Sequence, residues 1–307
     1  MLSIVVPVFN EEESLNAFYK ELMVALFKLK KNYEIIFVDD GSNDKSLNIL
    51  KEFEKKSKSV SVFSFRKHQG KAEALTLGFQ KAKGDLIVTL DADLQDNPSE
   101  IKNLLKKSRE GWDLVSGWRK NRRDSILKVL PSKLFNFLAL VFWGLKVNDL
   151  NSGLKLYTKD TAKSLGLYGG MHRFIPLLLY QEGFKVTEVP VIHEKRKFGK
   201  SKYGLSKVFT ELPDLFTMLF LSRYSKRPLH FFGVFGGILL LVGFIILVYL
   251  SYLRFQGERI GNRPLLLFGI LLVLTGLQIF FTGFIADLII HISQKRDSQE
   301  VLKYQRK

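Results

Sequence analysis

Two carboxylates, Asp91 and Asp93, close the apolar run DLIVTL within the stretch TLDADLQDNP. At i and i+2 they project to the same side of an extended chain. Paired hard oxygen ligands suit Mg2+ or Mn2+, which take one or two carboxylates together with substrate phosphates instead of an all-protein cage. A cation held there would neutralise a leaving diphosphate. Alone, the DxD triplet is a weak signal, since such triplets also occur on plain solvated surfaces. Other polar residues close apolar runs in the same way: Asn10 and Glu11 after LSIVVPVF, Asp39 and Asp40 at the end of YEIIFVDD, and Arg66 to His68 after SVSVFSF. A carboxylate at Asp40 is suited to accept from a base N–H, and Gly41 behind it supplies any positive φ the turn needs. Asp39 and Asp40 have a second reading, as N-caps of the helix that follows.

The elements that must position these residues alternate. LSIVVPVF, YEIIFVDD, SVSVFSFRK, DLIVTLDAD and WDLVSGWR read as strands, separated by helical patterns. The first helix is expected to start at Asn10 as N-cap with Glu13 completing a capping box, and to bury Leu15, Phe18, Leu22, Ala25, Leu26 and Leu29 on one face. Others follow Gly41, run from about Gly70 to Ala82, and begin after Asn97-Pro98. Such βαβ alternation implies an α/β fold, a mostly parallel sheet with helices on both faces. Ligands of such sheets bind beyond the carboxyl ends of the strands, so the polar residues above converge on one crevice.

Composition narrows the partners. The 307 residues include no cysteine, which excludes disulfides, zinc-thiolate sites and thiol catalysis. Lys and Arg number 47 against 30 Asp and Glu, a formal charge of +17 that favours anionic partners: nucleic acid, phosphorylated substrates or anionic lipid. The segments 229–253 and 264–292 are each long and apolar enough to span a hydrocarbon core, which takes about 20 residues. Arg223, Lys226 and Arg227 precede the first span, and Lys295, Arg296, Lys303, Arg306 and Lys307 follow the second. The positive-inside rule then places the bulk of the chain and its tail in the cytoplasm, and no signal segment precedes the first strand to alter that expectation. The expected divisions are residues 1–202 as catalytic domain, 203–228 as an amphipathic interfacial segment, 229–292 as a two-span membrane hairpin and 293–307 as a basic tail. Leu127 to Val147 reads equally as a core or an interfacial helix. Gly233, Gly236 and Gly237 allow close helix contact, compatible with a homo-oligomer.

SIVVPVFNEEESL, VDDGSND, RKHQGKAEAL and LDADLQDNP, in this order, resemble the GT-A glycosyltransferases of family 2. The resemblance implies a Rossmann-like GT-A sheet and a nucleotide-sugar donor. It places Pro7, Phe9 and Glu11 near base and ribose, Asp40 at the nucleobase and Lys71 nearby. It sets Asp91, Ala92 and Asp93 at the nucleotide-sugar, with Asp91, Asp93 and Gln95 at the metal and Asp93 catalytic. The second half, DLNSGLKLYTKD, then GGMHRFIPLLLYQEGFKVTEVPVIHEKRKFGKSKYG and two apolar spans, resembles the polyisoprenyl-phosphate glycosyltransferases, among them dolichol-phosphate mannosyltransferases and undecaprenyl-phosphate glucosyltransferases. A polyisoprenyl phosphate acceptor, and no nucleic acid, then accounts for two basic clusters, Arg119 to Arg123 and Lys195 to Lys202. Arg119, Arg196, Lys200 and Lys202 are expected to touch phosphate, and the rest to face anionic lipid. The QxxRW motif of processive relatives does not occur.

The resemblance implies attack by a lipid phosphate on the anomeric carbon with inversion. UDP-glucose, UDP-N-acetylglucosamine and GDP-mannose all fit as donors. Relatives carry a catalytic aspartate, often as TGDF, where this chain has Asn151-Ser152-Gly153-Leu154, which leaves Asp149 as the nearest carboxylate. Asp149 can accept a proton, orient the sugar or bond to its own turn. Two rival readings are a diacylglycerol or other non-phosphorylated acceptor, and a non-catalytic membrane scaffold. The scaffold explains spans and charge, but not four donor motifs in order.

Overall fold

The computed structural model describes residues 1–120, 140–141, 144–194, 227–261 and 264–304, the last twelve as backbone only. The chain forms two compact units, Met1–Leu215 and Phe216–Lys307.

Among the described residues of the first unit, seven strands form one sheet: β1 (Leu2–Val8), β2 (Tyr33–Asp39), β3 (Val60–Ser64), β4 (Leu86–Thr89), β5 (Leu114–Trp118), β6 (Lys155–Thr158) and β7 (Val186–Pro190), in the spatial order β3-β2-β1-β4-β6-β5-β7. Every pairing is parallel except those of β6, which runs against both β4 and β5. The first five strands are those the apolar runs predict. β6 and β7 come from the less regular middle of the sequence. Because β6 is reversed, its first residue lies at the carboxyl edge of its neighbours: Lys155 pairs in register with Thr89 of β4 and Ser116 of β5. The loop leading into β6 is thereby delivered to the same edge as the acids.

Alternation along the strands divides the core into two layers. Ile4, Val6, Ile35, Phe37, Val88 and Val115 face helices α1 (Leu15–Leu29), α2 (Ser46–Lys56) and α4 (Ile101–Ser108). Val5, Ile36, Val38, Ile87, Leu114 and Tyr157 face α3 (Lys71–Lys81), α5 (Lys159–Ser164) and α6 (Ile175–Gln181). α1 buries the expected stripe Leu15, Phe18, Leu22, Ala25 and Leu26, with Leu29 partly buried against the same core. Burial of such side chains contributes about 1.5–3 kcal/mol each. The helix start differs from expectation. Asn10 is no N-cap: Ser14 holds that position, while Asn10, at φ +53°, accepts from the Asn43 N–H (2.8 Å) and donates its own N–H to Ser42 Oγ (3.0 Å). A bond between two strand-end loops has displaced the local capping pattern.

The second unit contains α7 (Pro228–Phe255) and α8 (Pro264–Tyr304), whose stretches Pro228–Phe255 and Pro264–Ile292 are long and apolar enough to cross a membrane. They pack through glycines. A Cβ on Gly236 would lie 2.7 Å from the Gly276 carbonyl oxygen, and one on Gly276 would lie 2.8 Å from that of Gly236. Gly236 is thus used within the hairpin, whereas Gly237 has nothing within 4 Å of a built Cβ.

Candidate active site

At the end of β2 both acids are buried and engaged. Asp39 accepts from Ser64 Oγ (2.7 Å) and so ties β2 to β3. Asp40 accepts from the N–H groups of Gln69 (2.7 Å) and Gly70 (3.0 Å), and lies 2.8 Å from His68 Nδ1. Neither caps α2: Asp44 serves its first turn, accepting from the Ser46 N–H (2.9 Å). Asp40 instead fixes the loop that starts α3. Gly41 is required twice over, by φ +68° and because a Cβ would stand 2.6 Å from the Lys67 carbonyl carbon. The Phe9 ring stacks on His68 with centroids 4.1 Å apart, so Phe9 and Asp40 meet the same imidazole. Pro7 pairs with Val38 in register, and Glu11 accepts from Ser14 Oγ (3.0 Å) while its N–H donates to Ser46 Oγ (2.9 Å).

The segment after β4 alternates. Ala92 and Leu94 are buried in the core, and Asp91, Asp93 and Gln95 between them are half-buried. Ala92 therefore has only its backbone to offer a ligand. Leu94 has φ +59°, a conformation that costs a non-glycine residue roughly 1–2 kcal/mol. Its burial holds it there, together with the Gln95 N–H donating to Asp93 Oδ1 (3.1 Å) and the Glu194 N–H donating to the Gln95 carbonyl (2.9 Å). Lys71, the first residue of α3, places Nζ 2.6 and 2.7 Å from the two oxygens of Asp91. Burial would raise the Asp91 carboxyl, but the Lys71 ammonium, helped by Lys155 and His172, outweighs it and holds the group below its ordinary value. Among the described residues no three His, Cys, Asp or Glu side chains cluster to hold a metal. The oxygen set at positions 91, 93 and 95, already gripping one cation at Asp91, nonetheless suits an ion such as Mg2+ that keeps part of its shell for phosphate and water.

Across the edge, Arg119 follows β5 and binds Asp149 through both carboxylate oxygens, Nε to Oδ2 at 2.6 Å and Nη2 to Oδ1 at 2.8 Å. Asp149 is 1% exposed. Its carboxylate orients the guanidinium, and Glu188 of β7 in turn accepts from the Asp149 N–H (2.8 Å) and Asn148 N–H (2.6 Å). Arg122, Arg123, Arg196, Lys200, Lys202 and the stretch 203–224 lie outside the described residues.

His68, which the apolar runs placed at this edge, is brought there, whereas sequence reasoning passed over Lys155, Glu188 and the buried pair Asp96 and His193, whose Oδ1 and Nδ1 lie 3.5 Å apart. For Lys155 a signal existed: a single cation inside the apolar run LKLY, where a short strand begins. Burial pushes its amine down to about 7, as do Lys71 and Arg119, against the opposing pull of Asp149 and Asp91.

A mixed sheet with acids on the carboxyl edge of its parallel strands is the GT-A arrangement of glycosyltransferases. The structure is similar to glucosyl-3-phosphoglycerate synthase from Mycobacterium tuberculosis, solved with Mn2+, uridine diphosphate and phosphoglyceric acid, with TM-score 0.57 and 20% identity over 72% of this chain and 78% of that one. The chain belongs to glycosyl transferase family 2, whose model matches residues 3–166. Its similarity extends further, to the dodecaprenyl-phosphate galacturonate synthase of Rhizobium johnstonii, 36% identical over 97% of this chain and 90% of that one. The undecaprenyl-phosphate 4-deoxy-4-formamido-L-arabinose transferase of Pectobacterium atrosepticum is 34% identical over 94% and 88%. Membership of this family sets aside the non-catalytic scaffold.

Proposed function

We propose that the protein transfers a sugar from a nucleotide-sugar to a polyisoprenyl phosphate, with inversion at the anomeric carbon. The observation that carries this reading is similarity to a polyprenyl-phosphate transferase over 97% of the chain, both long apolar helices included. An oxygen of the lipid phosphate forms the new bond to the anomeric carbon as the bond to the donor's diphosphate breaks, and nucleoside diphosphate leaves.

On the donor side, Pro7, Phe9 and Glu11 border the base and ribose, and Asp40 holds the loop that carries His68 to the Phe9 ring. Asp91, Asp93 and Gln95 would hold Mg2+ or Mn2+, which supplies neutralising charge to the leaving diphosphate. Lys71, already beside Asp91, presents its ammonium to the same anion. On the acceptor side Arg119 is preset by Asp149, and Arg196, Lys200 and Lys202 add further cations. A phosphate monoester's second pKa is near 6, so the nucleophile is largely ionised at neutral pH and needs no strong base. Asp149 therefore serves by positioning Arg119. Orientation of two anions and stabilisation of developing charge contribute most of the acceleration. α7 and α8 are proposed as a membrane hairpin with both ends in the cytoplasm, which keeps the enzyme where a polyprenyl lipid resides.

The test is an acceptor comparison on the full chain in detergent, with donors including the nucleotide-activated forms of glucose, N-acetylglucosamine, mannose and galacturonate. Transfer to undecaprenyl phosphate, absent with undecaprenol or diacylglycerol, is the expected outcome. Transfer to diacylglycerol alone contradicts the phosphate acceptor.

A further inference from the structure

Four consecutive carbonyls in the loop before β6 are each held from a different place. Asn151 accepts from Arg119 Nη2 (2.9 Å), Ser152 from Lys155 Nζ, Gly153 from Thr89 Oγ1 (2.9 Å) and Leu154 from the Gly117 N–H (2.9 Å). The Gly153 bond anchors to β4 and the Leu154 bond to β5. The Asn151 bond comes from the Arg119–Asp149 pair. The Ser152 bond comes from a lysine that is 2% exposed. Burying an amine is costly, and an apolar residue would fill the same volume without that penalty.

What the loop touches gives that lysine a use. A Cβ on Gly153 would stand 2.5 Å from Asp91 Oδ2 and 2.9 Å from Asp96 Oδ2, so the bare Gly153 backbone lies directly against the acidic segment. Asp149, at the other end of the loop, holds Arg119. Lys155 thus fastens the middle of a short span whose two ends bear on the two halves of the site.

We propose that Lys155 is a positioning residue. By holding the Ser152 carbonyl it keeps Gly153 pressed against Asp91, and so fixes the spacing between the donor-side acids and the Arg119–Asp149 pair. What those two sides bind rests on the proposed function; the mechanical coupling does not.

Lys155→Met removes the donor, and Lys155→Gln keeps a donor without the charge. Amide hydrogen exchange on the full chain in detergent reads the coupling with no ligand present. In Lys155→Met, exchange should quicken about tenfold at residues 150–154 and also at 91–96, with circular dichroism unchanged. In Lys155→Gln it should stay near wild type. Mn2+ binding, followed by electron paramagnetic resonance, should weaken about tenfold in Lys155→Met, as for groups that orient metal ligands. Faster exchange confined to 150–154 overturns the proposal. So does tighter Mn2+ binding in both variants, the result expected if Lys155 acts only as a repelling charge. A wild-type chain that binds no Mn2+ overturns the metal assignment under the proposed function and leaves the exchange result to decide Lys155. Should Lys155→Met fail to fold, Lys155→Gln still decides: Mn2+ binding tighter than wild type overturns the proposal, and wild-type binding supports it.

Discussion

Two cation–carboxylate pairs among the described residues of the site have similar distances and different surroundings. Lys71 and Asp91 meet with side chains 35% and 32% exposed; Arg119 and Asp149 meet at 11% and 1%. The first pair is partly open to water, so separating it costs less than separating the second, whose side chains are both nearly out of water. We propose that Lys71 releases Asp91 to a ligand and binds the ligand's own charge. The second pair has no such freedom, because removing either partner strands a charge away from water. On that proposal the first pair opens on the donor, and the second stays closed and aims an arginine.

The difference can be broken by experiment. Asp149→Asn should destabilise the fold by about 3–5 kcal/mol, the range for a buried pair that loses one partner. Urea unfolding in detergent, followed by Trp112 and Trp118, reads this; a loss under about 1 kcal/mol would place Asp149 with the exchangeable pair. Gly153→Ala comes next, at about 1–3 kcal/mol, since its methyl must displace the Asp91 carboxylate 2.5 Å away. Its weaker Mn2+ binding would be seen in the same titration as for Lys155→Met.

A smaller effect is pH-dependent. Lys155 titrates at about 7 in the folded chain against 10.5 for a free lysine, so above pH 7 the unfolded chain binds more protons than the folded one. Stability from this group therefore rises with pH across that window, and wild type should gain about 1 kcal/mol on Lys155→Met between pH 7 and 8. A constant difference would show that the amine is not depressed. Lys71→Met should be less costly than Asp149→Asn in the same unfolding assay, because its pair is partly open to water. A loss equal to that of Asp149→Asn would erase the distinction between the pairs.

These two pairs also mark what could be read from the chain. Lys71 and Asp91 belong to motifs at the start of a helix and the end of a strand, each set by local pattern, and the parallel sheet brings such ends together by topology alone. Asp149 was visible as a carboxylate, but its partner was not, because the pairing depends on β6 running backwards between β4 and β5. Nothing in KLYT states a direction. The capping readings of Asn10 and Asp40 fail differently: each residue satisfies a local capping rule, yet each is taken by a loop from another strand, Asn43 for one and Gln69 with Gly70 for the other. Gly41 succeeded because positive φ is a property of one residue, whereas the need for Gly153 arises only from carboxylates that folding brings against it.

The reaction we propose is metal-assisted sugar transfer to a polyprenyl phosphate through the acids after β4. Its most direct test is transfer of labelled sugar to undecaprenyl phosphate by wild type and Asp93→Ala, purified in detergent and matched for circular dichroism. With Mn2+ present, wild type should form the lipid product and Asp93→Ala should be slower by about 10²–10³, the scale for removing a group that stabilises developing charge. Equal turnover by the two proteins, or wild-type turnover unaffected by chelation, would rule out metal-assisted transfer at these acids.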